Sequence, residues 1–483
     1  MFIVDLNKEN FEYDVQALVK SFFPEEQVTV LTPETRADKR QEMAPQARLR
    51  IEIRDEGAEL VLDGGSYHFV WPEESEVPAE LPVSEEWKIL QQEILSRGFK
   101  DGFKRFLYNV LNQTTGKHLP WGNLTGIRPT KIAYGMLEQG RSDQFILEYY
   151  RQNHYVSTEK AELSLEIAKR ERKLLSRIHY RGGYSLYIGI PFCPTTCLYC
   201  SFTSFPIAGY RNLVESYMDC LIMEMELTAE VMKGRILDSV YIGGGTPTTL
   251  EPAQLDRLLT KLKSLFDFST VQEFTVEAGR ADSITEEKLK VLHAHGISRI
   301  SVNPQTMKQE TLDIILGLPG ELEADVQNTM DRIVELAPDS LTVHSLAIKR
   351  ASKLNQWIKE NGVSMLHNTD ETMAIATEGA RQLGLVPYYL YRQKNMSGNF
   401  ENVGYAREGK LGLYNILIME EVQTIVALGA GSITKKVSRH AAEDGSENIL
   451  IERCENAKEV ALYIEKIDEM IARKRKLLID YIE

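Results

Sequence analysis

Short apolar runs and longer helical stretches alternate through the middle of this chain. The apolar runs occupy residues 185–190, 239–242, 273–277, 299–303, 314–318 and 340–345. Most of them have the length of a buried strand, and most are followed by enough sequence for a helix, which is the βα alternation of a parallel sheet. Six such units predict an α/β fold with a partial (β/α)6 barrel, whose chemistry would lie at the C-terminal ends of the strands.

The pattern before this barrel is different. Residues 47–54 alternate apolar and polar positions, as a half-buried strand does. Two further predicted strands, 59–62 and 66–71, flank the hairpin signal Asp63-Gly64-Gly65. The acidic, proline-rich residues 72–82 predict a linker, and the pattern is helical from about 84 to 178 with a break at 122–129.

The pattern changes again after about residue 385. Residues 387–392 and 413–419 predict strands, and 468–483 predict an amphipathic helix. We therefore expect three parts. They are an N-terminal extension at 1–178 (a small β/α part at about 1–72 and a helical part at about 84–178), a core at 179–385, and a small α+β domain at 386–483.

Composition restricts the class of protein. The chain has 483 residues, 43% of them hydrophobic and 26% charged, as in ordinary globular proteins. It contains no run of about 18 apolar residues, so no membrane span is expected, and its first residues do not have the pattern of a signal peptide. Five cysteines in so long a chain favour a reducing cytoplasm. The net charge of −14 argues against non-specific nucleic-acid binding, although it leaves room for a local basic patch.

Three cysteines stand where the first predicted barrel strand ends. Cys193, Cys197 and Cys200 have the spacing Cys-x3-Cys-x2-Cys. Three thiolates can hold three corners of a cubane iron–sulfur cluster and leave the fourth iron open to another ligand. A structural zinc site would need a fourth ligand, and the other two cysteines, Cys220 and Cys454, each stand alone.

A glycine-rich turn follows the second predicted strand. Residues 243–247 read Gly-Gly-Gly-Thr-Pro. Consecutive glycines let backbone groups approach a ligand closely. Such a turn is common between a strand and a helix, but beside a cluster motif on the preceding strand it is a specific indication of a ligand site.

These motifs resemble those of the radical S-adenosylmethionine (SAM) enzymes. The cysteine run, residues 243–247, the strand 273–277, the strand that ends at Gln305 and the segment 313–320 occur in the order of the oxygen-independent coproporphyrinogen III oxidase family. The resemblance covers about residues 180–435. The loop 124–131 and the long N-terminal extension resemble the HemZ-like branch.

The resemblance implies a 4Fe–4S cluster and SAM as cofactors, and it implies a role for each matching residue. Cys193, Cys197 and Cys200 would ligate the cluster. The residues that would contact SAM are Tyr187, Tyr199, Gly244, Gly245, Thr246, Glu277, Gln305 and Asp313. For each polar member, the alternative is a buried hydrogen-bond partner at a strand end. No separate catalytic side chain is implied, because the cluster and SAM carry the chemistry.

The activity that the resemblance implies is the oxidative decarboxylation of coproporphyrinogen III to protoporphyrinogen IX in haem biosynthesis. Its partners would be the tetrapyrrole substrate and an electron donor such as flavodoxin or ferredoxin. Basic residues around 100–131, interleaved with aromatic ones, could bind the carboxylates of the substrate, although a solvated helix face is the favoured explanation for them.

Two departures from the family pattern favour alternatives. Only residues 304–313 connect the fourth and fifth predicted strands, whereas a parallel crossover needs a dozen or more residues. The family has a helix there, preceded by an arginine that binds the SAM carboxylate; Lys308 is the nearest cation here. In addition, Ser201-Phe202 follows the last cysteine, where well-established coproporphyrinogen oxidases have another cysteine two positions on.

The first alternative is a haem chaperone on the same scaffold, because related family members are haem chaperones, with His179, His344 or Cys220 as candidate axial ligands. The second is a homologue that binds the cluster without turnover. A tRNA-modifying radical SAM enzyme is disfavoured by the acidic balance of the chain.

Overall fold

The chain forms two compact units. A computed structural model describes residues 1–71, 89, 98–126, 128–195, 200, 204–302, 314–347, 353–361, 368–393, 400–441 and 447–479. The first unit comprises Met1–Arg170, Val363–Asn368 and Leu390–Val403, and the second comprises Glu171–Gly362, Thr369–Tyr389 and Gly404–Glu483. The boundaries of the three domains expected from the sequence remain predictions.

The first unit begins with a five-stranded sheet of order β2-β1-β3-β4-β5. Its strands are β1 (Phe2–Leu6), β2 (Val28–Leu31), β3 (Leu49–Arg54), β4 (Gly57–Leu62) and β5 (Gly65–Val70). Strand β1 pairs in parallel with β2 and β3, and β3, β4 and β5 are antiparallel. The hairpin at Asp63 and Gly64 is present, and both residues have positive φ, as a two-residue turn matched to the strand twist requires.

Helices complete the first unit. They are Glu12–Phe22, Ala37–Met43, Phe99–Thr115, Thr130–Glu138, Asp143–Glu148 and most of Thr158–Leu175. The predicted helical pattern and its break at 122–129 are thus confirmed, as far as the described residues extend. Of the basic residues near 100–131, Lys100 and Lys104 form ion pairs with Asp14 at 2.8 and 3.1 Å. The predicted linker lies outside the described residues.

A seven-stranded sheet is the centre of the second unit, and its order is β11-β10-β9-β6-β16-β17-β18. The strands are β6 (Gly183–Ile190), β9 (Ile236–Gly244), β10 (Glu273–Gly279), β11 (Arg299–Val302), β16 (Thr424–Leu428), β17 (Ile433–Ala441) and β18 (Glu447–Glu455). The strands β6, β9, β10, β11 and β16 are parallel to one another. Strand β17 is antiparallel to both β16 and β18.

A second sheet has four strands in the order β12-β13-β15-β14. They are β12 (Ile315–Leu316), β13 (Ser340–Ser345), β14 (Val386–Tyr391) and β15 (Asn402–Ala406). The six predicted barrel strands are all present, four in the larger sheet and two in this one. The short pair β7 (Phe192–Cys193) and β8 (Phe205–Pro206) lies beside the cysteine run. The mixed α/β fold is therefore confirmed, while the connection 304–313 lies outside the described residues.

The helices of the second unit are Val214–Val231, Pro252–Leu265, Glu286–Ala294, Glu323–Leu336, Lys353–Asn361, Asp370–Gln382, Leu413–Glu420, Val460–Glu465 and Ile467–Ile479. The predicted C-terminal helix is thus confirmed over its described residues. Across the part of the chain that the structure describes, every helix is too short or too polar to cross a membrane.

The prediction of a strand at 413–419 is wrong, because this segment is the helix Leu413–Glu420. Its buried residues recur at helical spacing, at positions 413, 414, 416, 417 and 420. The carboxylate of Glu273 accepts hydrogen bonds from the backbone N–H groups of Leu413 at 2.6 Å and of Tyr414 at 3.3 Å. Glu273 therefore satisfies the N-terminal donors that a helix leaves unpaired.

Candidate cofactor site

The C-terminal ends of β6, β9 and β10 meet at one edge of the larger sheet. Tyr187 and Gly189 of β6 are in register with Tyr241 and Gly243 of β9. The neighbouring β6 residues, including Leu186 and Ile188, point into the hydrophobic core beneath the helices. Because side chains alternate along a strand, the tyrosines and glycines lie together on the opposite face.

Two glycines at the end of this face allow close packing. A Cβ atom at Gly243 would lie 2.8 Å from the ring of Tyr241 and 3.0 Å from the carboxylate of Glu277. Gly244 has φ +113°, in the region that glycine tolerates without strain. Glycine is therefore needed at both positions, at Gly243 by close packing against Tyr241 and Glu277 and at Gly244 by its backbone conformation.

The glycine turn passes directly over the first cysteine. The backbone N–H groups of Gly245 and Thr246 donate to the carbonyls of Ile190 at 2.8 Å and Phe192 at 2.7 Å. A Cβ atom at Gly245 would lie 3.0 Å from the Sγ of Cys193. Glycine at this position is therefore required by the close approach of the two motifs.

Cys193 is buried, with its Sγ 3.4 Å from the Oγ1 of Thr246. Cys200 lies with its Sγ 3.7 Å from the Oγ of Ser204. Neither cysteine forms a disulfide. Hydrogen-bond donors beside sulfur stabilise a thiolate and tune an iron–sulfur cluster, so the residues at this position fit a cluster ligand.

The full ligand set extends beyond the described residues. Cys197, the second predicted cluster ligand, lies outside them together with the predicted SAM contacts Tyr199, Gln305 and Asp313. Within the described ranges, no three His, Cys, Asp or Glu side chains come together as a metal site. The predicted residues that the structure does bring to one edge are Cys193, Tyr187, Gly244, Gly245, Thr246 and Glu277, and their roles remain predictions.

Three tyrosine rings stack beside Gly189 and Gly243. The ring centroids of Tyr241 and Tyr414 are 4.3 Å apart, and the ring of Tyr187 lies 6.2 Å from Tyr241 and 6.1 Å from Tyr414, all nearly parallel. Tyr187 and Tyr241 keep partial solvent access although burial raises the pKa of both phenols. We call the partly solvent-accessible face formed by Tyr187, Tyr241 and Glu277 the recess.

Sequence reasoning missed Tyr241 and Tyr414. Tyr241 immediately precedes the Ile242-Gly243 step of the glycine motif, and its alternation with Gly243 could have placed it on the ligand face. No local signal could have found Tyr414, because its segment was assigned to a strand. Its position depends on Glu273, which is distant in sequence.

Glu277 is the acidic group of the recess. Its Oε1 accepts a hydrogen bond of 2.5 Å from the hydroxyl of Tyr241. Burial raises the pKa of Glu277 to about 7, although the bonds from Tyr241 and from the backbone N–H of Gly244 oppose this rise. The carboxyl group can therefore change its protonation state near neutral pH and can attract a cationic ligand when it is ionised.

An arginine also contacts the cysteine run. The Nη1 of Arg280 donates to the Oγ1 of Thr195 at 2.7 Å, and its guanidinium also pairs with Asp282 at 3.0 and 2.6 Å. Arg280 was not among the predicted residues. Lys308, the cation that the sequence suggested, lies outside the described residues.

The three candidate haem ligands lie on different elements of the second unit. The Nδ1 of His179 bonds the buried Asp238 at 2.8 Å, just before β6. Cys220 is packed in the hydrophobic core, where burial raises the pKa of its thiol. His344 lies on β13, and burial lowers its pKa to about 4.

Known proteins share this sequence pattern. The model of the radical SAM superfamily matches residues 187–345. The oxygen-independent coproporphyrinogen-III oxidase-like protein HemZ of Bacillus subtilis is 36% identical over 419 residues, which cover 78% of this chain and 82% of that protein. The heme chaperone HemW of Lactococcus lactis is 31% identical over 194 residues, covering 34% of this chain and 49% of that protein.

Two further matches come from Escherichia coli. Its oxygen-independent coproporphyrinogen III oxidase is 29% identical over 192 residues, covering 34% of this chain and 42% of that protein. The solved structure of its coproporphyrinogen III oxidase HemN, described as a radical SAM enzyme, superposes with a TM-score of 0.46 and 21% identity, covering 65% of this chain and 73% of that chain.

Proposed function

This chain belongs to the radical SAM family of HemZ-like, oxygen-independent coproporphyrinogen-III oxidase-like proteins, and we propose that it decarboxylates the propionate side chains of coproporphyrinogen III. The cofactors of the family are a 4Fe–4S cluster and SAM. The observation that carries the proposal is the meeting of Cys193 with the glycine turn at Gly245 and Thr246, beside a recess floored by tyrosines.

When bound, the reduced cluster and SAM supply a 5′-deoxyadenosyl radical. Each propionate then loses one hydrogen atom, one CO2 and one electron and becomes a vinyl group, so that two such steps give protoporphyrinogen IX. The electron leaves to an acceptor, and the electron that reduces the cluster comes from a carrier such as flavodoxin or ferredoxin. This chemistry fits a reducing cytoplasm, where we place the protein.

The residues of this chain would bind and orient the cofactors and exclude water from them. Cys193, Cys197 and Cys200 would hold three irons of the cluster. Backbone groups of Gly244 and Gly245 and the hydroxyl of Thr246 would hold the amino acid end of SAM, because they lie beside the Cys193 sulfur.

Other side chains at this edge would bind the ligand or shield it from water. Glu277 would attract the cationic ligand. The stacked rings of Tyr187, Tyr241 and Tyr414 would close the floor, which keeps water from a reactive radical. Tyr199, Gln305 and Asp313, implied by the family resemblance, complete the proposed set.

The test is anaerobic reconstitution with iron and sulfide, followed by SAM, a reductant and coproporphyrinogen III. We expect 5′-deoxyadenosine and protoporphyrinogen IX to form together, and Cys197→Ala to retain no cluster. A brown, iron-replete Cys197→Ala variant would contradict the cluster assignment. Stoichiometric haem binding without vinyl product would favour a haem chaperone over the proposed decarboxylase.

A further inference from the structure

A fully buried ion pair connects two helices behind the cofactor edge. Glu224 lies on the helix Val214–Val231 and Lys474 on the helix Ile467–Ile479. The carboxylate and the ammonium group contact each other, and both side chains are 0% exposed. A buried ion pair loses so much hydration that well-packed apolar residues often stabilise a fold better. The placement of these charges therefore calls for a reason beyond stability.

The bonds of the pair converge on the end of one strand. Glu224 accepts from the backbone N–H of Gly429 at 2.8 Å, and Lys474 donates to the carbonyl of Ala427. Asn456 reaches both the Glu224 carboxylate at 2.7 Å and the carbonyl of Gly429 at 3.0 Å. The segment held in this way is residues 427–432, which begins at the end of β16.

This segment lies against β6, the strand that leads into the cysteine run. Ladder pairing between β16 and β6 ends at Leu428 and Ile188. Beyond that point the hydroxyl of Tyr217 replaces the ladder, donating to the carbonyl of Gly189 at 2.6 Å and accepting from the N–H of Ala430 at 3.1 Å.

Gly429 shows how close the two chain segments are. It has φ +92°, and a Cβ atom there would lie 2.5 Å from the carbonyl oxygen of Gly189. Gly189 lies on the same face of β6 as Tyr187, and a Cβ atom there would lie 3.4 Å from the Tyr187 ring. A shift of 427–432 would therefore be transmitted directly to the side of the recess formed by β6.

We propose that Glu224 and Lys474 are positioning residues that fix segment 427–432 as a wall of the SAM recess. The proposal rests on the proposed function, in which SAM is the ligand of that recess. The buried charges act through the backbone groups of Ala427 and Gly429 and have no contact with the ligand. The C-terminal helix thereby becomes part of the binding apparatus for SAM.

The test compares two charge-neutral double variants. Glu224→Gln with Lys474→Met removes the buried pair. Glu230→Gln with Arg475→Met removes a pair between the same two helices, at 2.8 Å, that is exposed and bonds neither Ala427 nor Gly429. SAM affinity is measured anaerobically by equilibrium dialysis, with iron content and hydrogen exchange of the Gly429 amide measured in the same preparations.

We expect the buried-pair variant to keep its iron, to exchange the Gly429 amide faster and to bind SAM about tenfold more weakly or worse, since charge-assisted bonds to the segment are lost. The control should match the unmodified protein. Unchanged SAM affinity in the buried-pair variant would overturn the positioning role alone. Failure of the unmodified, iron-replete protein to bind SAM would overturn the proposed function as well.

If the buried-pair variant does not fold, Tyr217→Phe takes its place, because it removes only the hydroxyl that joins Gly189 to Ala430. The expected direction is the same, with weaker SAM binding at full iron content. Normal SAM affinity in Tyr217→Phe would then contradict the proposal.

Discussion

Replacing Tyr241 with phenylalanine should move the pH dependence of SAM binding upward. The hydroxyl of Tyr241 donates to Glu277 at 2.5 Å and lowers the pKa of that carboxyl group, which burial has raised to about 7. Without the hydroxyl, burial acts with less opposition and the pKa rises further. SAM carries a net positive charge, so its affinity should follow the ionised fraction of Glu277.

The size of the shift follows from the bond that is lost. A hydrogen bond to a charged group stabilises it by about 1.5–3 kcal/mol, and one pKa unit corresponds to about 1.4 kcal/mol. The midpoint should therefore rise by about one unit or more. At pH 8 the carboxyl group would then fall from roughly nine-tenths ionised to about half or less.

The assay is the dissociation constant of SAM from pH 6 to 9, measured anaerobically on iron-replete protein. Tyr414→Phe is the matched control, because Tyr414 belongs to the same ring stack and the bonds that lower the pKa of Glu277 come from Tyr241 and the Gly244 N–H. We expect the control to keep a midpoint near that of the unmodified protein. An unchanged or lower midpoint in Tyr241→Phe would refute the role assigned to the hydroxyl.

Three further predictions concern the same edge. The folded-state pKa of Glu277 exceeds its ordinary value, so ionising the buried carboxyl group destabilises the fold. This destabilisation is absent below about pH 4.5, grows up to about pH 7 and reaches on the order of 3 kcal/mol above it. Glu277→Gln should therefore raise the melting temperature at pH 8 more than at pH 5 while weakening SAM binding, and an equal effect at both pH values would contradict this. Gly245→Ala should reduce iron content sharply, since the new Cβ would lie 3.0 Å from the Cys193 sulfur. Gly135→Ala is the control and should keep its iron, because its new Cβ would have no atom within 4 Å. Equal iron content in both variants would contradict the steric argument. Arg280→Ala should release iron to a chelator faster because the bond to Thr195 is lost, and identical release rates would show that the bond does not hold the cysteine run.

Local patterns were sufficient where an element is defined by its own residues. Alternation at 47–54 predicted β3, whose burial alternates strictly along Leu49–Arg54. The Asp63-Gly64 turn was predicted for the same reason, since the turn geometry itself demands positive φ. The cysteine and glycine motifs each follow a strand, and parallel neighbours bring such motifs together at one edge.

Long-range contacts decided what the sequence did not predict. An apolar run at 413–419 suits a strand in isolation, but Glu273, far away in sequence, satisfies the first N–H groups of a helix there. The same contact places Tyr414 on Tyr241, so the floor of the recess could not be inferred from either segment alone. The Glu224–Lys474 pair likewise joins residues 250 positions apart.

The most direct test of the account follows one hydrogen atom. Coproporphyrinogen III carrying deuterium on the propionate carbon next to the ring is incubated anaerobically with the reconstituted protein, SAM and a reductant. The account predicts that deuterium appears in 5′-deoxyadenosine as protoporphyrinogen IX forms, and that Cys197→Ala yields neither. Vinyl product with unlabelled 5′-deoxyadenosine, or deuterated 5′-deoxyadenosine from Cys197→Ala, would contradict the proposed radical decarboxylation.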